Sequence, residues 1–245
     1  MTQPEQMLTA VQAALERRAE VNLHDSTIKL VLRDGQLLMT GEVQDIVAKR
    51  VAHLTAIQLL GADRVLDALC VKPMVQNNDA GIVAFLDDLL IQESAFRDYP
   101  INVVAGAAPQ LPGKGAAPVG DVIGVSVNEA VVTLEGDVAS LRHRRLAEVL
   151  AWWSPGVRAV HNLLHVVPAQ QDNDAELCDA LRNVIERDPW LNDASIGIQV
   201  QDRMVTLQGT VNGQEQRRRA LQDAWYILGV HGVDNQLQVR DPEAP

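Results

Sequence analysis

Six basic residues stand in matched pairs along an otherwise acidic chain: Lys49 and Arg50, Arg144 and Arg145, Arg217 and Arg218. Adjacent cations hold phosphate or carboxylate oxygens through charge-assisted hydrogen bonds, so a phosphate head group or an acidic partner is the chemistry they offer. The plainer alternative is a solvated helix face whose cations pair with local acids such as Asp45 and Glu148. The other reactive side chains offer less. His161 and His165 lie four apart in a segment that alternates like a strand, which is not the helical spacing by which two histidines share a metal. His24, His53, His143 and His231 are scattered. Cys70 and Cys178 fall at unmatched places and read as unpaired thiols in a reducing compartment. No phosphate-cradling glycine loop, nucleophile elbow or recurring pair of carboxylates is present, so the expectation is a protein that is not an enzyme, with no cofactor and no bound metal.

The regular spacing of the basic pairs comes from a unit written three times. Leu37 to Val43, Val131 to Val138 and Met204 to Val211 each read as a strand ending at a glycine: Gly41, Gly136 and Gly209. Counted from that anchor, the basic pair follows at eight and nine positions. Alanines follow at eleven and fifteen: Ala52 and Ala56, Ala147 and Ala151, Ala220 and Ala224. Four positions apart on a helix is one face, and small side chains there let a helix lie close on a sheet. A bulky neighbour at sixteen (Ile57, Trp152, Trp225) fills the edge of that contact. Further on come a second glycine (Gly61, Gly156, Gly229), a valine (Val65, Val160, Val233) and an alternating Leu-x-Val. Thirteen positions upstream stands an isoleucine each time: Ile28, Ile123, Ile196. A repeat of about 70 residues is close to the smallest size that folds by itself.

Each copy reads as helix, strand, strand, helix, strand. Copy one, residues 1–73, opens on an amphipathic helix with Leu8, Val11 and Leu15 on one face, then alternates from Ile28 to Leu32. Asp34-Gly35 supplies the positive φ of a tight hairpin, Asp45 caps the second helix, and Gly61 fits the residue just past its end. Copy two, residues 81–168, has a more apolar first helix from Ile82 to Leu90, which suggests burial on two sides, against a neighbouring copy as well as its own sheet. An insertion at about 100–121, rich in proline and glycine, interrupts it; only Ile101 to Val104 suits an extended piece, and the rest is either a bland insertion or a partner-contacting loop. Copy three, residues 174–241, places Asn212 and Glu215 in capping-box spacing before its second helix. The fold class is therefore α+β: three tandem α-β-β-α-β units, each a small three-stranded mixed sheet with two helices packed on one face.

The formal net charge of -11 over 245 residues grows from copy to copy, with acidic excesses of about one, four and six. A field of that sign repels nucleic-acid phosphates, and no nucleic-acid partner is expected. The first residues carry no basic stretch before an apolar run, and no run of apolar residues is long enough to span a bilayer, so a cytoplasmic chain, peripheral to a membrane at most, is the expectation.

The strand Val-Thr-Leu-x-Gly-x-Val, then Arg-x-x-Ala on a helix, then Gly-Val-x-x-Val-x-Asn-x-Leu-x-Val resembles the BON (bacterial OsmY and nodulation) domain. Copy two carries it as Val132 to Val138, Arg144 with Ala147, and Gly156 to Val166 with Asn162; copy three as Val205 to Val211, Arg217 with Ala220, and Gly229 to Val239 with Asn235. Copy one has Met39-Thr40-Gly41 and puts Asp67 where the asparagine falls. The resemblance implies a non-catalytic role: phospholipid or membrane association, tolerance of osmotic or envelope stress, or protein docking; joined to it, the recurring basic pairs read as the head-group contacts. Some relatives bind potassium, and a cytoplasmic protein that binds and senses that cation is the alternative. The family is mostly exported.

Overall fold

A computed structural model describes residues 3–23, 25–106 and 122–240, and in each copy the anchor glycine is the place where two strands crowd together. Gly41, Gly136 and Gly209 have φ of +117°, +121° and +118°. A side-chain carbon there would drive into the carbonyl oxygen of Thr27, Val122 or Ser195, at or just before the start of the neighbouring strand. Both the backbone angle and the missing Cβ are thus required, which is why the same glycine is written three times.

In copy one, α1 (Gln3–Glu16) leads to β1 (Thr27–Arg33) and β2 (Gln36–Val43), then α2 (Ile46–Leu60) and β3 (Val65–Val71). β2 is central, antiparallel to β1 and parallel to β3. Its inward residues Leu37, Met39 and Val43 pack with Leu69 of β3, Val11 and Leu15 of α1, and Ala52 and Ala56 of α2 in one buried core. Asp45 accepts the Ala48 N–H at 2.9 Å and caps α2 as the sequence suggests. Gly61, at φ +90°, returns its N–H to the Ile57 carbonyl.

Copy two is α3 (Asp79–Gln92), β4 (Ile101–Ala105), β5 (Ile123–Asn128), β6 (Val131–Val138), α4 (Leu141–Trp153) and β7 (Ala159–Val166). Its sheet has four strands, in the order β4-β5-β6-β7, rather than three. The extra strand β4 is the extended piece of the insertion and lies parallel to β5; residues 107–121 lie outside the described residues. The fourth strand also explains the apolar α3, which packs across β4 and β5 and against α4. Ile82, Leu86 and Leu90 are buried in that wider sheet face; docking on copy one is not needed to account for them.

Copy three is α5 (Asp174–Arg187), β8 (Ser195–Gln201), β9 (Met204–Val211), α6 (Gln214–Tyr226), β10 (Gly232–Asn235) and β11 (Gln238–Val239). β8 is antiparallel to β9, and β10 and β11 form one interrupted strand parallel to β9. The capping box does not form: the N-cap falls one residue later, at Gly213, which has no side chain to cap α6. Asn212 turns its amide to Asp193 at 2.5 Å, while the Gln216 side chain accepts the Asn212 N–H at 2.8 Å. Copies two and three share one compact unit, residues 74–245, and copy one forms another, residues 1–73. No helix among the described residues is long and apolar enough to cross a membrane.

The three hairpin turns differ in what holds them. Asp34-Gly35 is a sequence suited to two positive φ values. Glu129-Ala130 and Asp202-Arg203 adopt the same conformation without glycine, at φ between 51° and 64°. In each, the carboxylate that opens the first helix accepts both turn amides: Asp79 from Glu129 and Ala130 at 3.0 and 2.8 Å, Asp174 from Asp202 and Arg203 at 2.7 and 3.0 Å.

Gly209→Ala should therefore destabilise unit 74–245 by at least the ~1–3 kcal/mol of a strained backbone, read as a lower urea midpoint. Gly213→Ala, where a Cβ would meet open space, is the control and should lose less, about 1 kcal/mol or under, as glycine gives way to alanine at a helix N-cap.

Candidate functional site

The first cation of each basic pair locks the second helix to the last strand. In copy two the Asn162 side-chain amide donates to the Arg144 carbonyl at 2.8 Å, its oxygen accepts the Leu164 N–H at 3.3 Å, and the Arg144 guanidinium returns to the Asn162 carbonyl at 3.3 Å. Copy three repeats this with Asn235, Arg217 and Leu237 at 3.1, 3.2 and 3.2 Å. Copy one achieves the same link with charge. Lys49, 5% exposed, donates to Asp67 and to the Leu69 carbonyl at 2.7 Å each, while Asp67 accepts the Leu69 N–H at 2.9 Å. The motif asparagine and its departure at Asp67 are two chemistries for one clamp. Beside it His53 lies 4.0 Å from Asp67; burial lowers its pKa, with the Asp67 charge opposing and those of Arg50 and Lys49 adding to the shift.

The second cations have separate fates. Arg145, 2% exposed, crosses from copy two to copy three, donating to the Leu228 carbonyl at 2.9 Å and to Asp172 at 2.6 Å. Asp172 also takes Arg203 at 3.1 Å. Arg218 is exposed and pairs with Glu215 at 2.7 Å along its own helix. Arg50 is half-buried and engaged in interactions of its own. A head group reaching Lys49 or Arg145 would have to displace a buried ion pair, which leaves Arg218 as the accessible member.

Between copies two and three lies a polar cluster that the spacing did not reveal. Asp188, past the end of α5, and Asp223 on α6 are both fully buried. Arg219 is ion-paired with Asp188, lies 3.8 Å from Asp223, and stacks 5.4 Å above the Trp153 ring. Trp153 donates its indole N–H to Asp223 at 3.0 Å. Trp152, next to it, stacks on Tyr226 at 5.7 Å. Burial pushes the Asp223 carboxyl well above its ordinary range against the pull of Arg219, and nearby Asp188 pushes it further. Burial opposes the Arg219 charge too, but Asp223 and Asp188 hold it on. The signal in the sequence was a break in the repeat: fourteen positions after the anchor the copies read Thr55, Leu150 and Asp223.

A cleft of about 270 Å³ opens beside this cluster, lined by Met74, Trp190, Glu215, Gln216, Arg218, Arg219 and Gln222. Met74 and Trp190 are 83% and 74% exposed. Trp190 is held in place by its backbone, its N–H on Asp188 at 2.9 Å and its carbonyl on Gln216 at 2.8 Å. No group of three or more His, Cys, Asp or Glu side chains placed to hold a metal occurs among the described residues.

Residues 116–168 and 173–241 match the family model of the BON domain. Over 124 residues the chain is 29% identical to the osmotically-inducible protein Y of Escherichia coli (strain K12), an alignment that takes in 48% of this chain and 62% of that one. Among solved structures, CdsD, a structural protein of the Type III secretion system of Chlamydia trachomatis, aligns over 97% of this chain and 94% of its own with 13% identity and a TM-score of 0.25. The PrgH periplasmic domain aligns over 89% and 98% with 9% identity and a TM-score of 0.24. Superpositions this loose carry no argument.

Two substitutions test the geometry. Asn235→Ala removes both side-chain links of the clamp and should lower the stability of unit 74–245 by about 1–3 kcal/mol in urea unfolding. Asp223 keeps its proton in the folded state to a higher pH than in the unfolded chain, so the fold loses stability as pH rises from about 4 through the raised value. Asp223→Asn keeps the acceptor for Trp153 and should make thermal stability higher at neutral pH and flatter with pH.

Proposed function

We propose, for a chain that belongs to the BON-domain family through residues 116–168 and 173–241, a non-catalytic docking role in the response to osmotic stress. The observation that carries this reading is the stretch of 124 residues in common with an osmotically-inducible protein; the chain spans 62% of that relative's length. The internal arrangement supports docking over catalysis. The polar side chains that recur from copy to copy are spent on clamps and turns, and the most concentrated charge joins copies two and three. A strain of the source organism lacking this chain should grow more slowly than its parent in hyperosmotic medium and recover on complementation. Equal growth of the two strains across a series of salt and sucrose concentrations would overturn the reading.

A second reading, association with phospholipid, is favoured by the cleft that joins exposed Trp190 and Met74 to Arg218. An aromatic ring, a flexible apolar chain and a cation on one surface suit the boundary between head groups and acyl chains. Charge reversal at Lys49 or Arg145 disturbs the fold and tests nothing here, so the variants to use are Trp190→Ala and Arg218→Glu. Each should weaken sedimentation with vesicles of anionic phospholipid by about tenfold or less, the range set by one large apolar side chain or one surface charge. Vesicle binding untouched by both would remove this reading.

A further inference from the structure

We propose that the outer edge of β8 accepts an extended, uncharged strand of a partner protein, added in parallel as β4 is added to β5. This rests on the docking reading and names the surface and the kind of segment that fits it. The two strands are near-equivalents. Ile123-Gly124-Val125-Ser126-Val127-Asn128 and Ile196-Gly197-Ile198-Gln199-Val200-Gln201 hold the same place relative to their anchors, with Ile123 opposite Gly136 and Ile196 opposite Gly209. In β5 the outer edge is occupied: the Ile123 N–H donates to the Pro100 carbonyl at 3.0 Å and the Val127 carbonyl accepts the Gly106 N–H at 2.7 Å. In β8 the equivalent groups belong to Ile196, Ile198 and Val200. The Ile198 carbonyl accepts a weak bond from the Cys178 thiol of α5 at 3.8 Å, which an added strand bonding to that carbonyl would displace. Among the described residues β8 pairs with β9 and with no other strand.

Burial tells the same story. Ile123, Val125 and Val127 are fully buried, whereas Ile196, Ile198 and Val200 are half-buried, as a strand with one side missing would be. Exposed edges are ordinarily guarded by charge or proline. β1, the other edge strand of this kind, carries Lys29 and Arg33; β8, S-I-G-I-Q-V-Q, carries neither charge nor proline. The segment already seated on β5, Ile101-Asn102-Val103-Val104-Ala105, shows the chemistry of the occupant: short, β-branched and uncharged. Two features favour a different protein over β8 of a second copy. A two-fold axis would pair β8 with itself antiparallel, against the parallel strand seen on β5. Copy three is also the most acidic part of the chain, so two such edges repel.

The test uses the full chain with a fluorescein-labelled peptide, Pro-Ile-Asn-Val-Val-Ala-Gly. Saturable binding is expected, with amide exchange at Ile196, Ile198 and Val200 slowed by about tenfold or more and alkylation of Cys178 slowed relative to Cys70. Gly197→Lys, at a site where a Cβ makes ordinary contact with the Gln208 carbonyl at 3.6 Å, adds an edge charge and should weaken binding about tenfold with thermal unfolding unchanged. Ile198→Pro removes an outward N–H and should weaken binding likewise, with a lower unfolding temperature from the lost half-buried side chain. Unchanged exchange along β8 at saturating peptide, or binding undiminished in Gly197→Lys, overturns the proposal. So does a dimer of the wild-type chain, in the absence of peptide, that Gly197→Lys abolishes, because the edge then belongs to a second copy. Full complementation of osmotic growth by Gly197→Lys would overturn the edge as the working surface while leaving the osmotic role standing. Failure of the parental growth difference would remove the role and leave peptide binding untouched.

Discussion

The close passage of one strand against a bare glycine is the constraint on which the rest depends. At Gly41, Gly136 and Gly209 the neighbouring backbone occupies the space a side chain would need. That contact sets the register of the antiparallel pair, since a slip by one residue would turn every inward side chain outward. With the register set, the alanine face of the following helix meets the sheet at a fixed height, and all six of those alanines are fully buried.

Close helix–sheet packing brings two backbones together but does not orient one along the other. The clamp at the first basic residue does that, by tying a helix carbonyl or ammonium to a side chain on the last strand. An amide serves in two copies and an ion pair in the third. The ion pair is the more demanding choice, because either partner alone would be a charge left in a site with little water. In the cluster of Asp188, Arg219 and Asp223 that demand is eased because burial drives the Asp223 carboxyl towards its neutral form.

Much of this was legible in the residues. Three copies of one sequence make an internal alignment, and glycines, alanines and caps have local causes that a reader can find without coordinates. Asp45 and Gly61 act where the pattern puts them. What the repeat hid was anything specific to one copy. Arg145 looks like Arg50 and Arg218 in the alignment, yet its guanidinium ends on another copy's backbone, because the partner carbonyl of Leu228 is set by how two units meet. The strand at Ile101 was visible as an extended piece, but its parallel seat on β5 depends on a long-range pairing that local sequence does not encode. The capping box failed for a similar reason: Asp193 drew the Asn212 side chain away from the helix start.

The carboxylates that hold the hairpin turns have a kinetic meaning. In copy one the Asp34-Gly35 turn owes its two positive φ values to its own residue types, so β1 and β2 can pair as soon as both exist. In copies two and three the turn amides find their acceptor on Asp79 or Asp174, some 50 and 28 residues back along the chain. Closing those loops costs entropy before any strand contact repays it. The same hairpin is thus a local event in one copy and a late, helix-dependent event in the other two.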